Sequence, residues 1–338
     1  MNLEPPSTVA DPARRRVLGT LAGAAAAPLL GTPGAAMAAG FPQKPVKLVV
    51  PFATGGATDI LARLIGRGME NTLGQSVIVE NRPGAAGAIG ATFVAKSEAD
   101  GYTMLMAGVG SNIVLNLTVP STPYDAERDL QSVVYVCDVD YVMVVNAESK
   151  YRTLADLLAA ARAKPGALSY MSTGQNGPLH VGTEYLTRRA GVKMIHVPYK
   201  GEAPAYGDLI SGRIDVAVMT VPFTKPQIAS GKLRPIATIS AQRARGMPNV
   251  PTVAEQGFPG YAVPIWNGLS VPAGTPAEAM TVLNRAANVA LRDPAIVQKM
   301  LELGVAPIGG APADFAVMLR RERERWKEMI KESGVTSG

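Results

Sequence analysis

One cysteine, Cys137, and two histidines are all the thiol and imidazole chemistry in a chain of 338 residues. A lone thiol excludes an intrachain disulfide framework, a Cys-rich metal site and a lipid anchor near the N-terminus. Within Ser132-Val-Val-Tyr-Val-Cys137 it reads as a small buried residue rather than a nucleophile. Aromatic residues are scarce, at 5%, and the formal charge of +6 comes from scattered Lys and Arg. With no basic run interleaved with stacking side chains, a nucleic-acid partner is not expected; a mildly basic surface that gathers anions is. Paired carboxylates, metal-ligand spacings and a G-x-S-x-G elbow are all missing, so no catalytic residue, metal or cofactor is expected. No stretch after the N-terminus is long and apolar enough to span a bilayer.

What is present is a globular composition, 47% hydrophobic and 18% charged, punctuated by 35 glycines and 27 prolines. That length and turn density predict about two domains built from many short elements. The first residues read as an address. Arg14-Arg-Arg16 precedes Val17-Leu18 and an Ala/Gly/Leu stretch ending in Ala36-Met37-Ala38-Ala39. This is the charged, apolar and small-x-small order of an export signal, residues 1–38, with cleavage expected after Ala38. The paired arginines favour the twin-arginine route, with ordinary secretion the alternative. Gly19, Gly23, Pro28, Gly31 and Pro33 make Val17–Gly34 a poor membrane span.

The chain is organised around residues 44–65. Val46, Leu48, Val49 and Val50 form a buried-strand run, Gly55 and Gly56 a turn, and Ile60, Leu61, Leu64, Ile65 and Met69 a helical stripe. A helix start at a strand's carboxyl end carries free N–H groups and is an anion site in outline. The same logic recurs. Gln75–Glu80 leads to Gly84, Gly87 and Gly90, whose GxxGxxG spacing departs from a dinucleotide fingerprint. Tyr102–Ala107 leads to Gly108-Val-Gly-Ser-Asn112. Tyr141–Val145 is a strand, Leu154–Ala163 a helix, and Leu168–Met171 a strand entering Ser172-Thr-Gly-Gln-Asn-Gly-Pro178. Lys193–Pro198 leads through Tyr199-Lys-Gly-Glu-Ala-Pro204 to a helix over 206–211, and Ile214–Val218 ends at Met219-Thr-Val-Pro222. Gly260–Val271 returns the chain to its first half. Helices follow over 276–292, 294–303 and 314–331, with Glu324/Lys327 and Glu328/Lys331 as surface pairs. Strands alternating with helices predict an α/β protein with ligand-facing loops at strand ends.

Six ordered motifs carry a resemblance covering residues 42–335. They are Pro51-Phe-Ala-x-Gly-Gly-x-x-Asp59, Val79-Glu-Asn-Arg-Pro-Gly84, Asp100-Gly-Tyr-Thr103, His196-Val-Pro-Tyr-Lys-Gly201, Asn249-Val-Pro-Thr-Val-Ala-Glu255 and Pro272-Ala-Gly-Thr-Pro276. Together they resemble the Bug-type periplasmic solute receptors of tripartite tricarboxylate transporters. The resemblance implies a type II periplasmic-binding-protein fold: lobe 1 from residues 42–143 plus 265–338, lobe 2 from 144–264, joined by crossing strands. It implies a monomer that binds a small carboxylate (a di- or tricarboxylate, an aromatic acid or an amino acid) and delivers it to transporter membrane subunits. A receptor feeding a signalling kinase and, more remotely, a periplasmic enzyme are the alternatives. Matched by motif, the first-lobe site comprises Phe52, Ala53, Thr54, Gly55, Gly56 and Asp59, with Gly87 and Ser111 near. The second lobe supplies Ser172, Thr173, Gly174, His180 and Tyr199. Asp59 is read as a brace for the loop rather than a ligand group, and His196 as a structural histidine. Three departures stand out: Thr54 where proline is common, Gln175-Asn176 in a turn that is usually Ser/Gly-rich, and Val218-Met219-Thr220 where a Met-Phe-Asp-like segment is usual. Loss of that second-lobe acid tilts the expectation toward a plain carboxylate without an amine.

Overall fold

β1 (Val46–Val50) forms as a strand with almost no solvated side: Val46, Leu48, Val49 and Val50 are fully buried. Helices pack over it, so its sequence is a continuous apolar run rather than an alternation. It pairs in parallel with β2 (Val77–Asn81) and β3 (Thr103–Gly108). The connecting helices are α1 (Ala57–Leu73) and α2 (Ala88–Ala95). Two antiparallel strands finish the sheet, β10 (Trp266–Pro272) beside β3 and β4 (Leu130–Asp138) outside it, in the order β2-β1-β3-β10-β4. Short helices α3 (Leu115–Thr118) and α4 (Ala126–Asp129) precede β4. The computed structural model describes Met1 and residues 40–335. The expected export signal, with Arg14–Arg16 and cleavage after Ala38, lies outside the described residues.

A second sheet repeats the plan. β6 (Ser169–Ser172) pairs in parallel with β7 (Ile195–Pro198) and β8 (Val216–Thr220). β5 (Tyr141–Asn146) runs antiparallel beside β8, and β9 (Leu233–Thr238) runs beside β5, giving β7-β6-β8-β5-β9. Its helices are α5 (Leu154–Ala163), α6 (Pro178–Ala190), α7 (Glu202–Ile210) and α8 (Val221–Ala229). The antiparallel strand beside the parallel trio has in each case come from the other sheet: β5 follows β4 directly, and β10 follows the return segment after β9. The two crossings lie side by side. Val139 donates its N–H to the Ile265 carbonyl at 2.9 Å, and Val263 donates to Ile239 at 2.8 Å.

The C-terminal helices are α9 (Ala277–Ala290), α10 (Pro294–Glu302) and α11 (Pro312–Ser333). α9 and α10 pack on α1, where Leu61, Ile65 and Met69 share a core with Leu283, Ala286, Ala290 and Ile296. α11 was expected with the first lobe; it packs on β4 there and also on α6 of the second sheet. Its apolar stripe explains this, because Phe315, Met318, Trp326 and Met329 lie in one buried cluster with Leu179, Val181 and Leu186. Arg325 adds a hydrogen bond to the Ala262 carbonyl on the return segment.

Three further differences from the sequence expectation have local causes. β4 and β9 stand outside the strands expected from the sequence; their buried residues run together, as Val133-Val134 and Val136-Cys137 in β4 and Ile236–Thr238 in β9, rather than alternating. The expected lobe boundary at 143/144 falls inside β5, which pairs with β8 from Tyr141 onward. α7 begins at Glu202 rather than Tyr206, because Pro204 falls in the first turn, where an N–H has no intrahelical partner to lose.

Phe315 is the aromatic hub that anchors α11 on the first sheet, stacked on Tyr135 of β4 (centroids 5.6 Å) and edge-on to Trp266 of β10 (5.4 Å). Phe315→Ala is expected to cost about 3–5 kcal/mol through the cavity it leaves. Urea unfolding checks this; a loss below about 1 kcal/mol would mean that the hub is not stabilising.

Candidate functional site

Three helix starts meet between the two sheets, and each is capped by glycine. Gly56 precedes α1, Gly177 precedes α6 and Gly201 precedes α7, none offering a side-chain acceptor to the first-turn N–H groups. Three other helices cap with oxygen: Asp125 before α4, Thr153 before α5 and Asp293 before α10 all accept from the backbone, as does Thr220 before α8 at the edge of the seam. A glycine cap therefore leaves first-turn N–H groups and the positive end of the helix dipole open to a ligand.

Two cavities lie along this seam. The smaller, about 60 Å³, is walled by Phe52, Ala53, Thr54, Gly56, Ala57 and Thr58 from the first lobe and by Tyr141, Thr173, Gly201–Pro204 and Thr220 from the second. The larger, about 530 Å³, shares Phe52 and Thr173 with it and continues past Gly87, Gly174 and Tyr199. Its wall is mainly apolar, with Leu115, Val119, Pro123 and Pro198, and Lys200 is its one cation. The lobes touch between these cavities. A Cβ on Gly174, whose φ is +146°, would come within 2.8 Å of the Ala86 Cβ, so a bulkier residue would push the lobes apart. Thr118 of α3 donates to the Asn176 carbonyl at 3.0 Å across the same seam. Among the described residues, the non-glycine positions with positive φ are Ala85, Ala86 and Asn176, all lining the larger cavity. Each such position costs about 1–2 kcal/mol, and their gathering at one seam marks where the fold spends strain.

The residues expected at the site divide into walls and braces. Phe52, Ala53, Thr54, Gly56, Gly87, Thr173, Gly174 and Tyr199 line one cavity or the other. Asp59, Gly55, Ser111, Ser172 and His180 line neither. Asp59 is buried and accepts from Gly55 N–H (2.9 Å), Asn81 Nδ2 (2.9 Å) and Arg63 Nε (3.1 Å). Burial opposes its charge, but these donors outweigh it and hold the carboxyl below the usual carboxylate range. Asp59 thus fixes the β1–α1 loop, and Gly55 supplies the left-handed turn with φ +85°. The Ser111 hydroxyl accepts from Gly108 N–H and donates within the same turn. Ser172 Oγ accepts from Gly174 N–H at 3.2 Å and lies 2.6 Å from His196 Nε2. His180 Nδ1 accepts from Asn176 N–H at 3.1 Å, while its ring stacks on His196 with centroids 4.0 Å apart. Tyr199 donates its hydroxyl to Asp208 at 2.7 Å, leaving its ring as wall.

Sequence reading missed Tyr141, Ala86, Gly201, Glu202 and Thr220. The signal for Gly201 and Glu202 was a glycine followed by an acid at a helix start, hidden by placing that helix four residues late. Glu202 is buried and accepts from Thr220 N–H (2.6 Å) and Thr220 Oγ1 (2.9 Å). Burial pushes its carboxyl up to about 7 despite these two donors. Cys137 is buried in β4, and burial pushes its thiol up, away from nucleophilic use. Among the described residues no group of three His, Cys, Asp or Glu side chains is arranged to hold a metal.

The histidine pair sets a pH limit on the second-lobe loop. Burial first, and the facing His180 second, push His196 down to about 4; burial lowers His180 as well. Both rings are neutral in the fold, so the unfolded chain binds more protons between about pH 6.5 and pH 4. Stability is therefore fully present above pH 6.5 and declines as pH falls toward 4. His196→Phe is expected to flatten this decline in melting temperature; an unchanged slope would place the loss elsewhere.

The model of a family described as tripartite tricarboxylate transporter family receptor matches residues 61–335. Protein BugT of Bordetella pertussis is 36% identical over 295 residues, which cover 87% of this chain and 90% of BugT. The solved structure of R. palustris Rpa4515 with adipate is 35% identical, with a TM-score of 0.84 over 88% of this chain and 100% of that one. The periplasmic binding protein BugD is 31% identical, with a TM-score of 0.83 over 88% and 100%. The two-lobed architecture is thus that of periplasmic binding proteins.

Proposed function

The chain belongs to the tripartite tricarboxylate transporter receptor family, and from that premise we propose that it captures a small organic carboxylate between its lobes and hands it to the membrane subunits of such a transporter. The observation that carries this reading is the interlobe cavity bounded by the glycine-capped starts of α1 and α7. The carboxylate lies at the α1 start, against Gly56, Ala57 and Thr58, with the Thr54 hydroxyl beside it. Helix N-termini favour an anion by about 0.3–1 kcal/mol each, and ordered water completes the shell at little cost. Neither an arginine clamp nor a metal is required. Rpa4515 with adipate shows a relative of this fold holding a dicarboxylate. In this reading the two lobes, one built on each sheet with β5 belonging to the second from Tyr141 onward, close about the paired crossings at Val139 and Ile265. Residues 1–38 direct export, and the released receptor works as a monomer in the periplasm, binding rather than transforming its ligand.

Thermal-shift screening against di- and tricarboxylates, aromatic acids and amino acids tests the reading. A binder at roughly a hundredfold excess over its dissociation constant adds about 2.7 kcal/mol of stability. Turnover of a small acid with no shift from any of them would refute it. Gly56→Asp tests the placement. Gly56 has φ −77°, and a Cβ there would lie 3.6 Å from the Ala53 carbonyl oxygen, so the backbone accepts the change. The new carboxylate would cap α1 and occupy the N–H groups assigned to the ligand. The expected outcome is a folded variant of equal or higher melting temperature with binding weakened at least tenfold. Unchanged affinity would move the ligand elsewhere.

A further inference from the structure

Glu202 is the acid at this site that no charge on the protein answers. The residue is 7% exposed and lines the small cavity, directly after the glycine cap of α7. Asp59, the other buried acid of the site, is ion-paired to Arg63 at 2.9 Å. Glu202 forms no ion pair among the described residues. Its partners are the neutral N–H and hydroxyl of Thr220, one to each carboxylate oxygen. Tyr141 of β5 is the titratable group that faces it. An ionised carboxylate accepts about four hydrogen bonds, so acceptor capacity remains after Thr220. A buried carboxylate without a countercharge is costly, and one that lines a cleft is a candidate to meet a ligand's charge.

The cavity is therefore polarised. At its first-lobe end, the free N–H groups of α1 attract negative charge. At its second-lobe end, an acid in the first turn of α7 answers that helix's dipole and turns the end from donor to acceptor. A ligand presenting carboxylates to both ends would meet a like charge at one of them, whereas one pairing a carboxylate with a cation a few ångströms away matches both. We propose that Glu202 sets specificity by receiving the ammonium group of an amine-bearing carboxylate, an amino-acid-type ligand whose carboxylate lies at the start of α1. This rests on the carboxylate-receptor reading above and reverses the sequence expectation of a ligand without an amine. The acid missing at Thr220 is supplied by Glu202, held in place by Thr220 itself. The rest of the ligand extends past Phe52 and Thr173 into the larger, mainly apolar cavity.

Calorimetric titration with matched pairs tests this: L-aspartate and succinate, L-glutamate and glutarate, L-phenylalanine and 3-phenylpropanoate. At pH 8 the amine-bearing member of at least one pair is expected to bind tenfold or more tightly than its partner. Glu202→Gln, which keeps the shape and removes the charge, is expected to reduce that ratio at least tenfold. Wild-type protein supplies a readout free of any folding defect. Because the carboxyl titrates near neutrality, affinity for the amine-bearing ligand is expected to fall from pH 8 to pH 6, as protons compete for Glu202. A ligand with a second carboxylate in that place would instead bind more tightly as pH falls. Equal or tighter binding of the amine-free member in every pair, or an unchanged ratio in Glu202→Gln, overturns the assignment and leaves the receptor reading standing. Absence of binding by both members of every pair also overturns the assignment; the receptor reading falls with it only if the wider thermal-shift panel yields no binder either.

Discussion

Two strands are exchanged between the halves of this chain, and the rest of the structure depends on that exchange. β5 leaves β4 and completes the second sheet, while β10 returns and completes the first. Neither sheet is finished without chain from the other half. The crossings bind each other through Val139 and Ile265, so the lobes share a narrow, hydrogen-bonded hinge. α11 adds an apolar strap from β4 to α6. With the junction held there, the parallel trios β1–β3 and β6–β8 bring their carboxyl ends to a common seam. Helix starts follow those ends, which is why α1, α6 and α7 all begin where the lobes meet.

The seam is specialised by what its helix starts lack. Asp125, Thr153 and Asp293 satisfy helix N–H groups with their own oxygens, whereas Gly56, Gly177 and Gly201 do not. Thr220 caps α8 with its hydroxyl, and the other side-chain oxygens at the seam brace turns. Asp59 folds back to fix the β1–α1 loop, and Ser172 with His196 fixes the turn before α6. The site is thus backbone on a braced frame. Backbone donors cannot change rotamer and need little reorganisation when an anion arrives, which suits capture and release better than a long charged side chain would. Strain is placed there too, at Ala85, Ala86 and Asn176, in the segments that touch when the lobes meet. Glu202 is the exception to the backbone rule, a buried charge whose supporting hydrogen bonds come from a threonine.

Local pattern was enough for much of this. The apolar run at Val46–Val50, the glycine turn after it and the stripe Leu61–Met69 specify a strand, a turn and a helix, because each depends on near neighbours and a fixed period. Repetition of that unit specified an α/β protein with strand-end loops, the turn at Thr173 among them, and six ordered motifs pointed to the two-lobed receptor fold and the loops around Phe52 and Tyr199. Cys137 as a core residue was legible from its apolar neighbours alone.

Tertiary structure decided what depends on distance across the fold. β4 and β9 become strands through partners supplied from far along the chain, and their own sequences carry little periodicity. Whether Ser111, Ser172 and His180 face a cavity or brace a turn is a matter of side-chain direction and partner, which spacing cannot encode. Glu202 shows the difference most plainly. Along the chain it is one acid in a glycine- and proline-rich loop, eighteen residues from Thr220. Packing makes it a buried carboxyl at the wall of the interlobe cavity, because burial and hydrogen bonding are properties of the folded surroundings and not of the residue.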